Sequence, residues 1–333
     1  MYIITGGAGF IGSALIWKLN SLGISNIWVV DNLGTSDKWK NLVNRQYRNY
    51  VHRDDFLRMI TSGADNFSRE IDGIVHLGAC SSTTERNADF LIRNNTKYSI
   101  ELCKFAIRRG IRFINASSAS TYGDGGLGFT TDVATTRKLT PLNIYGYSKH
   151  LFDLWLLDNH YLDKVASLKF FNVFGPNEYH KDDMRSMVCK AFYEIGKSGR
   201  LQLFKSCNSA YADGEQKRDF IYVKDCVEYI WFFLAHPEIC GLFNIGTGTP
   251  HSWNELANAI FKALNLPAAV EFVDMPPSLQ GKYQYYTCAN MDWLKSHKME
   301  FAPMTLEESV NDYIKNYLSR GEACLERVGE AGA

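Results

Sequence analysis

The chain has 333 residues, 46% hydrophobic and 22% charged, an ordinary globular composition with room for one large two-lobed unit or two small domains. Its 36 basic and 36 acidic residues cancel, so no net field favours nucleic acid or an anionic membrane, and any grip on an anion must come from local clusters. The eight cysteines, none at Cys-x-x-Cys spacing, read as reduced thiols and not as a metal site; no apolar run approaches the roughly eighteen residues of a membrane span, and a cytoplasmic protein without a secretory leader is expected.

The first apolar run, Tyr2 to Ile4, is cut off by Thr5, Gly6 and Gly7; Gly9 and Gly12 follow, and a helical pattern runs from Ser13 to Gly23. The spacing reads as Gly7-x-Gly9-x-x-Gly12 or Gly6-x-x-Gly9-x-x-Gly12. Such glycines permit a tight strand-to-helix turn, let the main chain approach a pyrophosphate, and let helix and strand pack closely. The pyrophosphate would then rest on free N–H groups at the helix N-terminus. A second strand, Ile27 to Val30, ends in Asp31, nineteen residues past Gly12, where an acid meets an adenosine ribose.

Residues 32–49 are polar and carry Lys38, Lys40 and Arg45; a short strand at Tyr50–His52 precedes Arg53. Ile71–Leu77 reads as a strand running into Gly78-Ala79-Cys80-Ser81. A long helix spans about Asp89 to Arg109, and the strand Phe113–Ala116 runs into Ser117-Ser118-Ala119. Residues 123–140 read as a loop over a site. A helix runs from Tyr145 to about Tyr161, and Val165–Phe171 is another strand.

Strands alternating with helices predict an α/β fold with a Rossmann-type doubly wound parallel sheet, whose ligands bind at the carboxyl ends of the strands. Beyond Asn172 the pattern loosens into a smaller mixed α/β substrate lobe. Helices are expected at 182–199, after 223, at 252–265 and at 305–319, and strands at Arg218–Val223 and Phe243–Gly246, the latter in the main sheet. The expected division is 1–171 with 218–246 for the nucleotide domain, 172–217 with 247–319 for the lobe, and a frayed tail over 320–333.

Tyr145 and Lys149 stand four apart, hence on one helix face. A free tyrosine, with a pKa near 10, is a poor base at neutral pH, and a nearby cation lowers that value. Lys149 can supply the cation and also hold a nicotinamide ribose, while Ser118 can hydrogen-bond the reacting oxygen. The set removes a hydroxyl proton while hydride leaves the same carbon for a bound nicotinamide.

These motifs resemble the extended short-chain dehydrogenase/reductase class, which acts on nucleotide sugars. Within it the chain is similar to the ADP-heptose 6-epimerase family in Val30-Asp31-Asn32-Leu33, Gly78-Ala-Cys-Ser-Ser-Thr-Thr-Glu85, Pro141-Leu-Asn-Ile-Tyr-Gly-Tyr-Ser-Lys149, Phe171-Asn-Val-Phe-Gly-Pro176, Lys217-Arg-Asp-Phe-Ile-Tyr-Val223 and Leu279-Gln-Gly-Lys-Tyr-Gln284, over about residues 1–318. The resemblance implies transient oxidation at the sixth carbon of the heptose, return of the hydride to the other face, and a place in lipopolysaccharide core synthesis. It pairs Tyr145 with Lys181 of Glu178-Tyr-His-Lys181 on the opposite side of the carbon.

For the cofactor the resemblance implies Gly6, Gly9, Phe10, Ile11, Gly12, Asp31, Asn32, Lys38, Arg53, Leu77, Gly78, Ala79, Cys80, Ser81, Asn94, Lys149, Val173 and Lys181. For the substrate it implies Asn172, Phe204, Lys205, Ser206, Cys207, Arg218 and Tyr283, with Asp183 and Lys190 at positions where Ser and His are expected. Leu77 stands where the family often has Glu, and Arg53 where it has Lys. Asp31 favours a ribose hydroxyl whereas Lys38 and Arg53 favour a 2′-phosphate; the resemblance tips the expectation to NADP, with NAD as the alternative. It further implies a homo-oligomer, a pentamer. The rival within the class is a UDP-hexose 4-epimerase. A dehydratase fits less well, because Ala119 and Ser120 follow Ser118 where an Asp-Glu pair would be needed. A binding protein that had lost the chemistry fits poorly with an intact Ser118, Tyr145 and Lys149.

Overall fold

The computed structural model describes residues 1–62, 67, 70–277, 279–281 and 283–328. Lys282 of the Leu279–Gln284 stretch and the last five residues of the expected tail lie outside the described residues.

Seven parallel strands form the main sheet among the described residues: β1 (Tyr2–Thr5), β2 (Ile27–Asp31), β3 (Asn49–His52), β4 (Gly73–His76), β5 (Arg112–Ser118), β6 (Val165–Phe170) and β10 (Gly241–Ile245). Their order is β10-β6-β5-β4-β1-β2-β3. The order reverses between β1 and β4, and the crevice outside that point is where such sheets bind ligands. β1, β2 and β4 are almost wholly buried and rich in Ile and Val, as strands covered on both faces must be. Two apolar cores follow, one on each face. One packs α1 (Phe10–Ser21) and α8 (Val223–Ala235) under the sheet and continues into the lobe. The other holds Phe56 of α2 (Arg53–Thr61), Leu102 and Phe105 of α4 (Tyr98–Arg108), and Phe152 of α6 (Ile144–Asp158).

The lobe has its own strands. β7 (Asn172–Phe174) lies parallel to β9 (Lys217–Tyr222), and β9 pairs antiparallel with β11 (Pro250–Ser252). β8 (Leu201–Phe204) and β12 (Val270–Val273) form a separate parallel pair. Around them stand α7 (Met187–Ser198), α9 (Trp253–Ala263), α10 (Asp292–Ser296) and α11 (Leu306–Asn316). Capping boxes start two of these: Ser252 with Glu255 before α9, and Thr305 with Glu308 before α11, each satisfying otherwise orphaned N–H groups.

The sheet is the expected one, and two details differ. The long helix after residue 88 is broken into α3 (Ala88–Leu91), a π-helical segment (Ile92–Lys97) and α4. The wider turn accompanies Asn95 bonding the Cys80 main chain through both N–H and carbonyl, an unusual helical segment beside a site. The loop over 123–140 contains a short helix, α5 (Val133–Thr136), capped by Asp132. The strand at 217–222 pairs with β7 and β11 and not with the main sheet, which β10 joins.

The tail departs most from expectation. Residues 320–326 are packed, not frayed. Leu325 is fully buried, Arg45 donates to the carbonyls of Leu325 and Glu326, and the Leu325 N–H donates to Asn177 Oδ1 at 3.0 Å. The Tyr179 hydroxyl donates to Ala323 O at 2.8 Å. A buried arginine that needs carbonyl acceptors explains why this polar-looking segment is ordered.

Candidate functional site

One cavity of about 780 Å³ opens along the carboxyl ends of β1, β2, β4, β5 and β6 and runs into the lobe. Its floor is the glycine turn. Gly6 has φ +68°, and a Cβ there would lie 2.6 Å from Gly78 N; at Gly12 it would lie 2.1 Å from Gly6 O. The turn closes through the Gly9 N–H donating to Gly6 O at 2.9 Å. Such a cradle fits a dinucleotide pyrophosphate, because at Gly6, Gly9 and Gly12 no side chain stands between the main chain and the cavity. Gly12→Ala is expected to push the turn open and weaken nicotinamide-nucleotide binding at least tenfold with the fold retained, read by nucleotide titration.

At the end of β2 the Asp31 carboxylate is fully engaged. Oδ2 accepts from the Ala8 N–H at 2.8 Å; Oδ1 accepts from the Asn32 N–H at 2.7 Å and from Lys38 at 2.8 Å. Lys38 lines the cavity, whereas Asn32 turns its side chain to the Gly34 N–H. Arg53 bonds Asn94 Oδ1, and neither lines the cavity; parallel pairing of Asp31 with His52 places Arg53 one residue past the neighbouring strand end. Leu77, Gly78, Ala79 and Ser81 line the crevice beside the turn; Cys80 does not, being held by Asn95. Val173 lines the far wall.

The proton-handling residues come from adjacent elements. α6 begins behind an Asn143 cap, which accepts the Gly146 N–H at 2.8 Å, and so presents Tyr145 and Lys149 one turn apart. Ser118 ends β5 and lines the cavity beside Tyr145. Burial raises the Tyr145 pKa, and the Ser118 hydroxyl opposes it. Lys149 donates to Ala116 O at 2.7 Å; burial pulls its pKa down to about 8, and the Asp153 carboxylate opposes that fall.

Lys181 reaches the same cavity from a segment of the lobe, a 3₁₀ turn over Tyr179–Met184 with Asp182 at φ +46°. The segment is tied to the nucleotide domain. Asn177 donates to Ser13 Oγ at 2.9 Å, and Asn41 donates to both Ala8 O and Asn177 O at 3.0 Å. The buried Glu178 carboxylate accepts from the Ser186 hydroxyl at 2.6 Å and the Ser186 N–H at 2.5 Å. The Lys181 ammonium lies 5.3 Å from the centre of the Phe10 ring, beside Ile11 at the turn. Burial lowers its pKa, with Glu178 opposing. His180 also lines the cavity and is held neutral, burial first and then Lys38 and Lys181 driving its pKa to about 4.

In the lobe Asn172, Lys190, Phe204 and Tyr283 line the cavity. Arg218 is 6% exposed and sits between two rings, 5.7 Å from Trp253 and 5.0 Å from Tyr283, whose hydroxyl accepts from Trp253 Nε1 at 2.7 Å. Among the described residues no carboxylate pairs with this cation, and burial lowers its pKa. A buried arginine stacked on aromatics without an anion suits a diphosphate.

Five residues expected at the substrate lie outside the cavity lining; Arg218 is one, set behind the Trp253 and Tyr283 rings with its Nη1 donating to Lys217 O at 2.9 Å. Asp183 offers its carbonyl to Lys190 at 3.4 Å and does not line the cavity. Lys205 pairs with Asp274 at 2.9 Å at the surface, because the β8–β12 pairing carries the chain outward after Phe204. Ser206 donates to Asn208 O at 2.8 Å within the loop, and Cys207 is exposed. Sequence reasoning missed Asn95, His180 and Trp253. The Asn94-Asn95 pair inside an otherwise helical run was the available signal for the first; the other two depend on long-range folding.

Residues 2–246 match the NAD dependent epimerase/dehydratase family. A relative named ADP-L-glycero-D-manno-heptose-6-epimerase, from Nitratidesulfovibrio vulgaris (strain DP4), is 56% identical over 325 residues, 98% of this chain and 100% of that one. A protein of the same name from Fusobacterium nucleatum is 43% identical over 336 residues, again covering 98% and 100%. The solved Helicobacter pylori ADP-L-glycero-D-manno-heptose-6-epimerase superposes with a TM-score of 0.75 at 24% identity, over 95% of each chain. UDP-glucose 4-epimerase of Thermotoga maritima, solved with UDP-glucose, superposes at 0.76 and 24% identity, over 96% of this chain and 98% of that one. These two likenesses speak to fold.

Proposed function

This chain belongs to the NAD dependent epimerase/dehydratase family, and we propose that it converts ADP-D-glycero-D-manno-heptose into ADP-L-glycero-D-manno-heptose by inverting the sixth carbon. One observation supports the class of chemistry: a single cavity joins the glycine turn, the Ser118–Tyr145–Lys149 set, Lys181 and the Trp253 and Tyr283 rings, behind which Arg218 lies. The choice of sugar is supported by the near-complete overlap with relatives that carry this name. Such a product serves lipopolysaccharide core synthesis in the cytoplasm, and the resemblance supports a homo-oligomer, a pentamer, in which a monomer mass by light scattering would overturn that part.

The residues fit a nicotinamide dinucleotide. Gly6, Gly9 and Gly12 would hold its pyrophosphate, Asp31 and Lys38 its adenosine end, and Lys149 its nicotinamide ribose. The chemistry a bound nicotinamide ring supplies is acceptance of hydride from the sixth carbon and its later return. Tyr145, as phenolate, takes the proton of the sixth hydroxyl, and Ser118 holds that oxygen. The sugar is left as a ketone, free to present its other face. Inversion then needs a proton for the oxygen from the other side. Lys181 gives it, and its lowered pKa makes it a better acid at neutral pH. Arg218, Trp253 and Tyr283 hold the nucleotide diphosphate while the sugar turns.

For the nucleotide we favour NADP. Lys38 lines the cavity and pairs with Asp31, so a 2′-phosphate meets one cation and a masked acid; Arg53, outside the cavity lining, adds only longer-range positive charge from the adjoining strand end. NADP is expected to bind at least tenfold more tightly than NAD, and Lys38→Ala to erase most of the difference; tighter binding of NAD in the titration would reverse the choice.

The function is tested by incubating the protein with ADP-D-glycero-D-manno-heptose and resolving the two epimers by NMR. Appearance of the L-glycero product supports it. No change at the sixth carbon, with turnover of UDP-glucose to UDP-galactose instead, would favour a 4-epimerase.

A further inference from the structure

Behind the catalytic helix lies a charged pair with no contact to the cavity. Asp153 follows Lys149 by four residues, on the same face of α6 as Tyr145. Asp153 and Lys169 of β6 are both 0% exposed and 2.6 Å apart. Asp153 Oδ2 also accepts from the Ser117 hydroxyl at 2.7 Å, and Oδ1 from the Ser167 hydroxyl at 3.0 Å. Lys169 donates to Thr121 Oγ1 at 2.8 Å and lies 5.1 Å from the centre of the Tyr122 ring. This one pair therefore bonds α6, the end of β5 next to Ser118, the turn after it, and β6.

A fully buried ion pair is a costly way to join four elements, since apolar residues of similar volume hold a core at least as well. Its placement suggests another use. The groups facing Lys149 are Tyr145 and Asp153 on its own helix and His76 from β4. His76 is kept neutral, burial and then Lys149 lowering its pKa; its ring nitrogens are taken up by Thr5 Oγ1 at 2.6 Å and Ser99 Oγ at 2.8 Å. His150, which faces Asp153 and Lys169, is likewise lowered, burial first. Asp153 is thus the one anion on Lys149 among the described residues, and it is itself paired with Lys169.

We propose that Asp153, with Lys169 as its counter-ion, is a positioning residue of the proposed epimerase reaction: it keeps Lys149 charged in its buried place and fixes the Ser117–Ser118 strand end against Tyr145. The pair never touches the substrate. It acts because the ammonium that must steady the phenolate would otherwise shed its proton to escape burial, a tendency that already brings Lys149 to about 8. Lys169 pairs with Asp153 at 2.6 Å and lets the whole arrangement stay buried.

The proposal rests on the epimerase reading, and the test separates the two. Lys149 is titrated in the purified protein by pH-dependent competitive acylation, read on its own peptide by mass spectrometry, and turnover is measured on the same samples. Asp153→Asn/Lys169→Met removes both charges together, so no lone buried charge is left behind. The expected result is a Lys149 titration about one pH unit lower, with kcat at pH 8 about tenfold lower and KM within twofold. Lys169→Arg keeps the pair and should restore both readings. If the double variant does not fold, Asp153→Asn alone carries the same two readings. A parental Lys149 titration in the charge-deleted protein would overturn the proposal, as would a shifted titration in Lys169→Arg. Absence of turnover in the unmodified protein would defeat the epimerase reading, while the acylation result still decides the role of Asp153.

Discussion

Tyr145→Phe is expected to lower kcat by about 10²- to 10⁴-fold, the usual worth of a positioned general base, while the bound nucleotide is retained. The substitution removes one oxygen from a side chain that lines the cavity beside Ser118; it leaves the Asn143 cap, Lys149 and the glycine turn untouched. A stopped-assay comparison of epimer ratios with nucleotide titration reads both halves. The pH dependence carries the same logic. At low pH the phenol keeps its proton and the rate falls; burial raises the Tyr145 pKa in the chain without ligands, so bringing the phenolate into the working range falls to the Lys149 charge and to the positive charge an oxidised nicotinamide would add. At high pH Lys149 loses the charge that steadies the phenolate; burial places that loss near pH 8 in the chain without ligands, and anionic ligands sharing the cavity move it upward. A bell-shaped kcat profile is expected, its alkaline limb at or above pH 8, with the two limbs belonging to the Tyr145–Lys149 pair jointly. A rate that keeps rising through pH 10 would contradict it.

Lys181→Met is expected to be nearly as damaging, about 10²-fold or more in kcat, with nicotinamide-nucleotide affinity changed less than threefold. Methionine keeps much of the length and the apolar stem, and loses the ammonium that lies over the Phe10 ring and with it the proton. The geometry also offers a rival. An ammonium 5.3 Å from the Phe10 ring lies beside the glycine turn, where it could serve a cofactor phosphate. The two roles part in the titration: a large loss of nucleotide binding in Lys181→Met would make Lys181 a cofactor contact, and proton delivery to the second face would have to come from elsewhere. The double variant Tyr145→Phe/Lys181→Met should lose little beyond the worse single variant, because residues that act in one proton circuit are not additive.

Much of the nucleotide half was legible because local rules govern it. The Gly6–Gly12 spacing can be met only by a tight strand-to-helix turn, and the structure shows a Cβ at Gly12 colliding with Gly6 O. Tyr145 and Lys149 needed only helical spacing and an N-cap to share a face. The lobe was harder. β7 has three residues and β8 and β12 four each, too short for alternation to stand out, and β8 pairs with a strand some seventy residues further on. Phe204 therefore faces the cavity while Lys205 to Cys207 turn away, a change of direction that motif matching cannot see. Arg218 and Tyr283 could be named one by one, but the slot they form depends on Trp253, brought over by the start of α9. The tail reads as loose because it is rich in Gly, Glu and Ala; Arg45, some 280 positions earlier, supplies donors that hold Leu325 and Glu326.

The central claim is that one carbon is oxidised and then reduced from the other side within a single closed site. The most direct measurement uses substrate deuterated at the sixth carbon, turned over in ordinary water with excess unlabelled NADPH. The account predicts an inverted product that retains the deuterium at the sixth carbon. Loss of the label to solvent would point to inversion by carbanion chemistry, and its dilution by the added nucleotide would point to an exchanging co-substrate; either result would contradict the account.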